Sequence, residues 1–509
     1  MEQEMTDTIA AVATPAGQGG LAVIRVSGRE AFRIVDAMWR GKTIGDSASH
    51  TAHLGCLLQE DGSVLDQAVM TLFRAPNSFT GEDTVEISVH GSRWIQRETM
   101  NRLVQLGARP AGPGEFSQRA FINGRMDLAQ AEAVADVIAA SSKAAHRLAM
   151  QQMSGAFSRR LEELRQRLVH FGSMLELELD FAEEDVEFAD RSALIESATE
   201  TLEVVRRLAD SYAAGRVFKE GVPVAIAGAP NAGKSTLLNR LLDDDKAIVS
   251  DIPGTTRDVI EDTREIRGTL FRFFDTAGLR DTDDTVERIG IERARDHIGR
   301  AAITLWVIDP SQPLDGQLAQ LTRHTPSPDA VNIILLNKAD LPAGTAGSDA
   351  DTSDPHAALT AEFKKVTGET LGTNNLLSIS AKTGEGIDTR NILRISAKTG
   401  EGIDTRNILR ISAKTGEGIE ELEEALLRAA ISDHDPSTEL IVTNARHYEA
   451  LTAGATALNR AIDGLRTAIP TDLVAQDVRE ALHHLGQVTG AIATPDLLTS
   501  IFQNFCIGK

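Results

Sequence analysis

The sequence predicts a multidomain protein of the α+β and α/β classes: an N-terminal α+β domain, an all-helical domain, and a P-loop α/β domain inserted into the helical one. Three observations predict it. Short β-patterned runs separated by turns fill residues 1–120, and apolar residues recur at helical spacing from Met126 onward. At Gly221 an apolar strand begins, followed by a glycine-rich loop and a helix.

In the first segment LAVIRVS (21–27), AVMTLF (68–73) and TVEISVH (84–90) read as strands, and Arg93–Leu106 reads as a helix. Alternation along Thr84–His90 puts Glu86, Ser88 and His90 on one face and Val85, Ile87 and Val89 on the other. Leu128, Ala131, Ala135 and Ile138, then Leu161, Leu164, Leu168, Phe171 and Leu175, mark long helices as far as about Ala214. The runs VPVAIAG, LFRFFDT, ITLWVID and NIILLNKAD alternate with helical patterns, as a mostly parallel sheet requires. After Ala430 the chain turns helical again. The expected domains are 1–122 (α+β), 123–217 (helical, first half), 218–430 (P-loop domain) and 431–509 (helical, second half).

Composition narrows the class. At 509 residues the chain exceeds a single core, and 42% hydrophobic with 25% charged residues is an ordinary globular mixture. No apolar run has the length to span a bilayer, and the acidic start MEQEMTDTIA lacks an apolar signal region. Two cysteines, Cys56 and Cys506, supply neither a disulfide framework nor a cysteine zinc site. A cytoplasmic protein without a membrane partner is expected. The net charge of −22 argues against gripping nucleic acid by charge alone, so RNA contact needs a local basic patch or a partner.

Ile379–Arg394 (ISAKTGEGIDTRNILR) recurs unchanged as Ile395–Arg410, and a third copy begins at Ile411. A 16-residue unit is shorter than those of stacked repeat architectures. The undiverged copies read as a recent tandem duplication, or an error of sequence assembly, rather than a functional array. The surplus is expected to loop out.

Gly228-Ala-Pro-Asn231-Ala232-Gly233-Lys234-Ser235 fits G-x-x-x-x-G-K-[ST] and stands between an apolar strand and the helical run TLLNRLL that begins at Thr236. Its glycines let backbone N–H groups turn inward around phosphates at a helix N-terminus. Lys234 offers a charge to the β- and γ-phosphates, and the Ser235 hydroxyl a ligand to Mg2+. Asn337-Lys338-Ala339-Asp340 closes another strand, and a carboxylate such as Asp340 accepts from N1–H and the 2-amino group of guanine, which adenine lacks. GTP is therefore expected over ATP. Asp275-Thr276-Ala277-Gly278 matches the motif whose Asp lies near Mg2+ and whose glycine amide senses the γ-phosphate. Before it comes Asp251-Ile252-Pro253-Gly254-Thr255-Thr256, in which Thr256 is assigned to Mg2+.

Ser-Ala-Lys, the usual loop beside guanine O6, occurs at 380–382, 396–398 and 412–414. The third leads directly into the helical run IEELEEALLRAA, which favours Ser412-Ala413-Lys414. Many small GTPases orient the hydrolytic water with a glutamine just after D-x-x-G; that position is Leu279 here. The water must be positioned from elsewhere, and Glu287 in the polar stretch Arg280–Arg293 is a candidate, against the simpler reading of an exposed helical glutamate.

The blocks GAPNAGKS, DIPGTTRDVI, DTAGLR, VERIGIERA, NKAD and FCIGK resemble the MnmE (TrmE) family of tRNA-modification GTPases. So do DTIAAVATPAGQGGLAVIRVSG, PNSFTGEDTVEISVHG and PGEFSQRAFINGRMDLAQAEA, and the resemblance spans nearly the whole chain apart from Leu341–Asn374 and the repeat. It implies a homodimer joined through its N-terminal domains, acting with the FAD-dependent partner MnmG (GidA) in a heterotetramer. The product would be an aminomethyl or carboxymethylaminomethyl group on C5 of the wobble uridine (U34) of tRNA. A tetrahydrofolate derivative, 5-formyl- or 5,10-methylene-tetrahydrofolate, would supply the one-carbon unit.

The resemblance further implies K+-stimulated GTP hydrolysis with Glu287 and Lys234 catalytic, and K+ held by Asn231, Ser250, Ile252 and Thr255. GTP contacts would run through Asn231, Ala232, Gly233, Lys234, Ser235 and Thr236, and through Ser250, Asp251, Ile252, Pro253, Gly254, Thr255 and Thr256. Asp275, Thr276, Ala277, Gly278, Asn337, Lys338, Asp340, Ser412, Ala413 and Lys414 would complete them. Ser250 departs from the usual threonine, a mild change for a carbonyl ligand. The folate residues would be Arg25, Glu86, Arg125 and Lys509, and Arg125 stands where a lysine is usual, keeping charge but altering geometry. Cys506 reads more simply as a packed small hydrophobe than as a catalyst.

Two other classes compete. A ribosome-assembly GTPase acting as an RNA-binding switch would carry a basic G-x-x-G module after the P-loop domain, and none follows. A folate-dependent methyltransferase-like enzyme would use the P-loop domain only for regulation.

Overall fold

The structure, a computed structural model, describes residues 7–180, 191–243, 261–275, 299–309, 312, 317, 330–337, 393–394, 404–405, 408–410, 419–430, 439–467, 469–503, 505 and 507–508. The chain forms two compact units. One comprises Met1–Ala140, His146–Asp210 and Asn444–Lys509; the other comprises Ser141–Ala145 and Ser211–Thr443.

The first unit opens on a seven-stranded sheet, in the order Trp39–Arg40, Thr51–Leu58, Val64–Phe73, Thr84–His90, Leu21–Ser27, Ile9–Val12 and Arg109–Pro110. Neighbours pair antiparallel except Ile9–Val12 with Arg109–Pro110. Ile24, Val26, Ile87, Val89 and Leu72 point into one core with Ile34, Val35 and Leu103 of the helices Ala31–Asp36 and Arg93–Gln105. As alternation predicted, Val85, Ile87 and Val89 are buried while Glu86, Ser88 and His90 are not.

Helices follow. Leu128–Ala139 starts on a reciprocal cap: the Asp127 carboxylate accepts from the Gln130 N–H at 2.8 Å, and the Gln130 side chain accepts from the Asp127 N–H at 3.0 Å. Ala445–Arg466 packs on Arg191–Asp210 and Thr471–Thr489, and Thr471–Thr489 packs on Ala156–Asp180. The bundle thus takes helices from both sides of the inserted segment. Its halves are stitched by charge. Glu132 accepts from Arg446 Nε at 2.9 Å and Nη2 at 2.8 Å, and His447 Nε2 lies 2.7 Å from the same carboxylate. Burial pushes the Glu132 carboxyl up, but His447 and then Arg446 outweigh it and hold it at about 2.

The second unit is built on a six-stranded sheet in the order Ile408–Arg410, Val331–Leu336, Ile303–Ile308, Val222–Gly228, Thr269–Asp275 and Glu261–Ile266. All neighbours run parallel except the edge pair Glu261–Ile266 and Thr269–Asp275. Val224, Ile226, Leu305 and Ile333 are fully buried with Leu237 and Leu241 of helix Lys234–Asp243 and Leu422 and Leu426 of helix Ile419–Ala430. Each such aliphatic contributes about 1.5–3 kcal/mol by leaving water. Leu393–Arg394 stands outside this sheet, paired antiparallel with Asp404–Thr405.

Candidate functional site

Five parallel strands deliver their carboxyl ends to one edge of the six-stranded sheet, and these ends are Gly228, Asp275, Ile308, Leu336 and Arg410. From Val222–Gly228 the chain goes to Glu261–Ile266 and Thr269–Asp275 on one side and then crosses to Ile303–Ile308 on the other, so the connections diverge there and open the crevice in which such sheets bind ligands. The glycine-rich loop leaves that strand and enters helix Lys234–Asp243, whose first N–H groups lack intrahelical partners.

Close approach dictates the loop's glycines. A side chain at Gly228 would collide with the Val307 carbonyl, and one at Gly233 with the Asn337 amide; both have positive φ, 147° and 102°. Asn231 also takes a left-handed backbone, at φ 59°, and is exposed. Lys234 turns back to donate to the carbonyls of Gly228 and Ala229, each at 2.8 Å. Ser235 and Thr236 are exposed on the first helical turn. Asn337, buried just past Val331–Leu336, donates from Nδ2 to the Ala232 carbonyl at 2.8 Å, and its backbone N–H reaches the Ile308 carbonyl at 2.9 Å. One side chain therefore ties the loop after Val331–Leu336 to the loop after Val222–Gly228. Asp275 closes Thr269–Asp275 opposite Ile226, two residues short of Gly228.

The first unit brings together a second set. Arg25 and Glu86 are direct partners across antiparallel strands. Arg25 donates from Nε at 2.9 Å and Nη2 at 2.7 Å to Glu86 Oε1, and from Nη1 at 3.3 Å to the Gly508 carbonyl. Its guanidinium lies over Phe79 and Phe116, 5.2 and 5.6 Å from the ring centroids. Ile507 bridges to Pro113, so the chain's end runs beside this pair. Arg125 is exposed and reaches the segment that carries Phe79, its Cγ 3.1 Å from where a Gly81 side chain would begin.

Similarity to known proteins covers both sets. The TrmE N-terminus family description matches residues 8–125, and the MnmE helical domain description matches residues 128–506. A Cytophaga hutchinsonii protein named tRNA modification GTPase MnmE is 43% identical over 504 residues, 99% of this chain and 98% of that one. A Bacteroides fragilis protein of the same name is 45% identical over 508 residues, 99% of each. The chain belongs to the MnmE (TrmE) family of tRNA modification GTPases. Among solved structures, Era in complex with MgGDPNP and nucleotides of 16S ribosomal RNA is similar over 46% of this chain and 65% of that one, at 22% identity and a TM-score of 0.27.

Of the residues expected to act in an MnmE-family chain, Asn231, Ala232, Gly233, Lys234, Ser235, Thr236, Asp275 and Asn337 stand at the sheet edge. Ser250 through Thr256, Thr276, Ala277, Gly278, Glu287, Lys338, Asp340, Ser412, Ala413, Lys414, Cys506 and Lys509 lie outside the described residues. Sequence reasoning missed the Gly508 carbonyl and the aromatic faces around Arg25, and it missed Arg119. Arg119, 1% exposed, bonds Asp7 Oδ1 at 2.5 Å, Glu115 Oε1 at 3.0 Å and Glu82 Oε1 at 3.2 Å. At Asp7 burial works upward, but hydrogen bonds from Arg109 and Arg119 prevail and lower its pKa. Glu82 in turn accepts from Ser27 at 2.8 Å, so this network buttresses the strand that carries Arg25.

Proposed function

We propose that the chain hydrolyses GTP as the nucleotide-driven component of a system that modifies C5 of the wobble uridine (U34) of tRNA. The observation that carries this reading is the gathering of the P-loop, Asp275 and Asn337 on one sheet edge in a chain related to the MnmE family from end to end. Asn337 holds the Ala232 carbonyl and begins Asn337-Lys338-Ala339-Asp340, so the guanine-reading loop and the phosphate loop are coupled through one side chain.

Ser235 with Thr256 would hold Mg2+, and the exposed position of Ser235 on the first helical turn suits that role. Bound Mg2+ neutralises charge on the β- and γ-phosphates. Asn231, with Ser250, Ile252 and Thr255, would hold K+, which would supply the positive charge that an arginine finger supplies elsewhere. Lys234 moves from its carbonyls to the phosphates, and Glu287 positions the water that Leu279 cannot. The one-carbon unit comes from a tetrahydrofolate derivative held by Arg25, Glu86, Arg125 and Lys509. A carboxylate suits the donor-rich pterin, and the cations suit its glutamate tail. The protein works in the cytoplasm as a homodimer with FAD-dependent MnmG and tRNA. Among the described residues no helix is long and apolar enough to cross a membrane.

Deleting the gene should remove the modified U34 nucleosides from bulk tRNA, read by mass spectrometry. Unchanged nucleosides would sink the proposal and favour a ribosome-assembly switch. GTP turnover by the full chain should be faster in KCl than in NaCl, and Asn231→Lys should abolish the difference. A K+ dependence that survives Asn231→Lys would remove Asn231 from the ion's shell.

A further inference from the structure

The nucleotide-unit sheet ends on a strand that the chain carries more than once. Ile408, Leu409 and Arg410 lie opposite Ile334, Leu335 and Leu336 in a parallel pair. Those three residues and the nine that follow, Ile411–Ile419, are identical to Ile392–Arg394 and Ile395–Ile403. The earlier copy is already extended. Leu393–Arg394 pairs with Asp404–Thr405 and comes within 8 Å, between Cα atoms, of Val331–Leu336.

Strand register is set by the side-chain pattern and by the connections. Identical copies make the pattern indifferent. We propose that the two copies exchange at this edge, Ile392–Arg394 replacing Ile408–Arg410 beside Val331–Leu336 in a minor population and shifting the chain by one 16-residue unit. Either arrangement places Ser-Ala-Lys directly after the edge strand, at 412–414 or at 396–398. The exchange is a property of the fold and does not depend on which nucleotide binds.

Only the connections discriminate. Helix Ile419–Ala430 is fixed by Ile419, Leu422 and Leu426 in the core and by the 2.5 Å ion pair of Glu423 with Arg264. Eight residues (411–418) join Arg410 to it, against 24 (395–418) from Arg394. Tripling that loop costs a factor of about five in population. Shortening the incoming connection from 71 residues (337–407) to 55 (337–391) returns a factor of roughly 1.5. The exchanged arrangement then holds about one molecule in four or five.

Disulfide trapping tests this in the full chain with Cys56 and Cys506 changed to serine. Adjacent strands bring Cα atoms within disulfide range. Leu336→Cys/Arg410→Cys should cross-link as the major form, and Leu336→Cys/Arg394→Cys several-fold less. Adding Ile408→Pro/Leu409→Pro, which removes whichever N–H faces the neighbour, should raise the yield of Leu336→Cys/Arg394→Cys at least about threefold. An unchanged yield would mean that Arg394 is merely nearby, and would overturn the exchange. Deleting 395–410 gives a second measurement. That chain should unfold cooperatively and cross-link Leu336→Cys/Arg394→Cys as fully as the long chain does with Arg410→Cys; failure to cross-link would also overturn it.

Discussion

Lys234 and Arg119 are both nearly inaccessible to water, 6% and 1% exposed, and neutral carbonyls take part in holding the first where carboxylates ring the second. Lys234, in the nucleotide unit, rests on the Gly228 and Ala229 carbonyls. Arg119, in the other unit, is ringed by Asp7, Glu82 and Glu115. Charge-assisted bonds are roughly twice as strong as neutral ones. An incoming phosphate can replace the two carbonyl bonds of Lys234 with stronger ones, but at Arg119 it would have to displace three carboxylates already in place. A buried cation held by carbonyls can be handed to an anionic ligand, whereas one ringed by carboxylates is structural. Arg25 stands between them, with one carboxylate, one carbonyl and two aromatic faces.

The strongest test of the contrast is Lys234→Ala. Loss of a charge delivered to the transferring phosphate should lower GTP turnover on the order of 10²–10³-fold, measured by phosphate release, while thermal unfolding changes little. A comparable fall in thermal stability with modest loss of turnover would place Lys234 in the class of Arg119.

Next comes the buried carboxylate Glu132, on the structural side of the comparison. Its folded value of about 2 lies below the ordinary 4.5, so its stabilisation is present above about pH 4.5 and is lost as pH falls through 4.5 toward 2. The shift corresponds to about 3 kcal/mol at pH 7. Glu132→Gln should cost that much in urea unfolding at pH 7, because Arg446 and His447 are left without their anion. The gap from the natural chain should narrow at pH 3. A gap that stays constant with pH would assign the loss to packing.

The same contrast explains what the sequence could tell. The P-loop, Asp275 and Asn337 lie in contiguous motifs, each at or just after the end of an apolar strand, and parallel strands bring such motifs to one edge without further information. The alternating face of Thr84–His90 made Glu86 legible, but its partner Arg25 is fixed only by the pairing of Leu21–Ser27 with Thr84–His90, which periodicity within either strand does not encode. Arg119 was illegible because its acceptors come from three separate segments, at Asp7, Glu82 and Glu115, and each looks alone like a solvated charge. Glu261–Ile266 went unseen for a simpler reason. Its residues, Glu-Asp-Thr-Arg-Glu-Ile, alternate in burial but not in hydrophobicity, because the inward position of Arg264 is filled by a cation paired with Glu423.

The smallest expected effect is the most discriminating, because it concerns the intermediate case. Arg25→Lys keeps a cation beside Glu86 but removes the planar fork that reaches the carboxylate and the Gly508 carbonyl together. Loss of one charge-assisted bond should weaken binding of 5-formyl-tetrahydrofolate about tenfold by calorimetry. Urea unfolding should move by less than about 1 kcal/mol, since Glu86 remains partly solvated. Arg119→Lys should do the reverse, lowering stability while Arg25 and Glu86 keep their ligand affinity. If Arg25→Lys instead destabilises the unit and leaves folate binding untouched, Arg25 belongs with Arg119. The Gly508 carbonyl would then be a clasp for the chain's end, and the folate-binding role would have to be sought in Arg125 and its neighbours around Gly81.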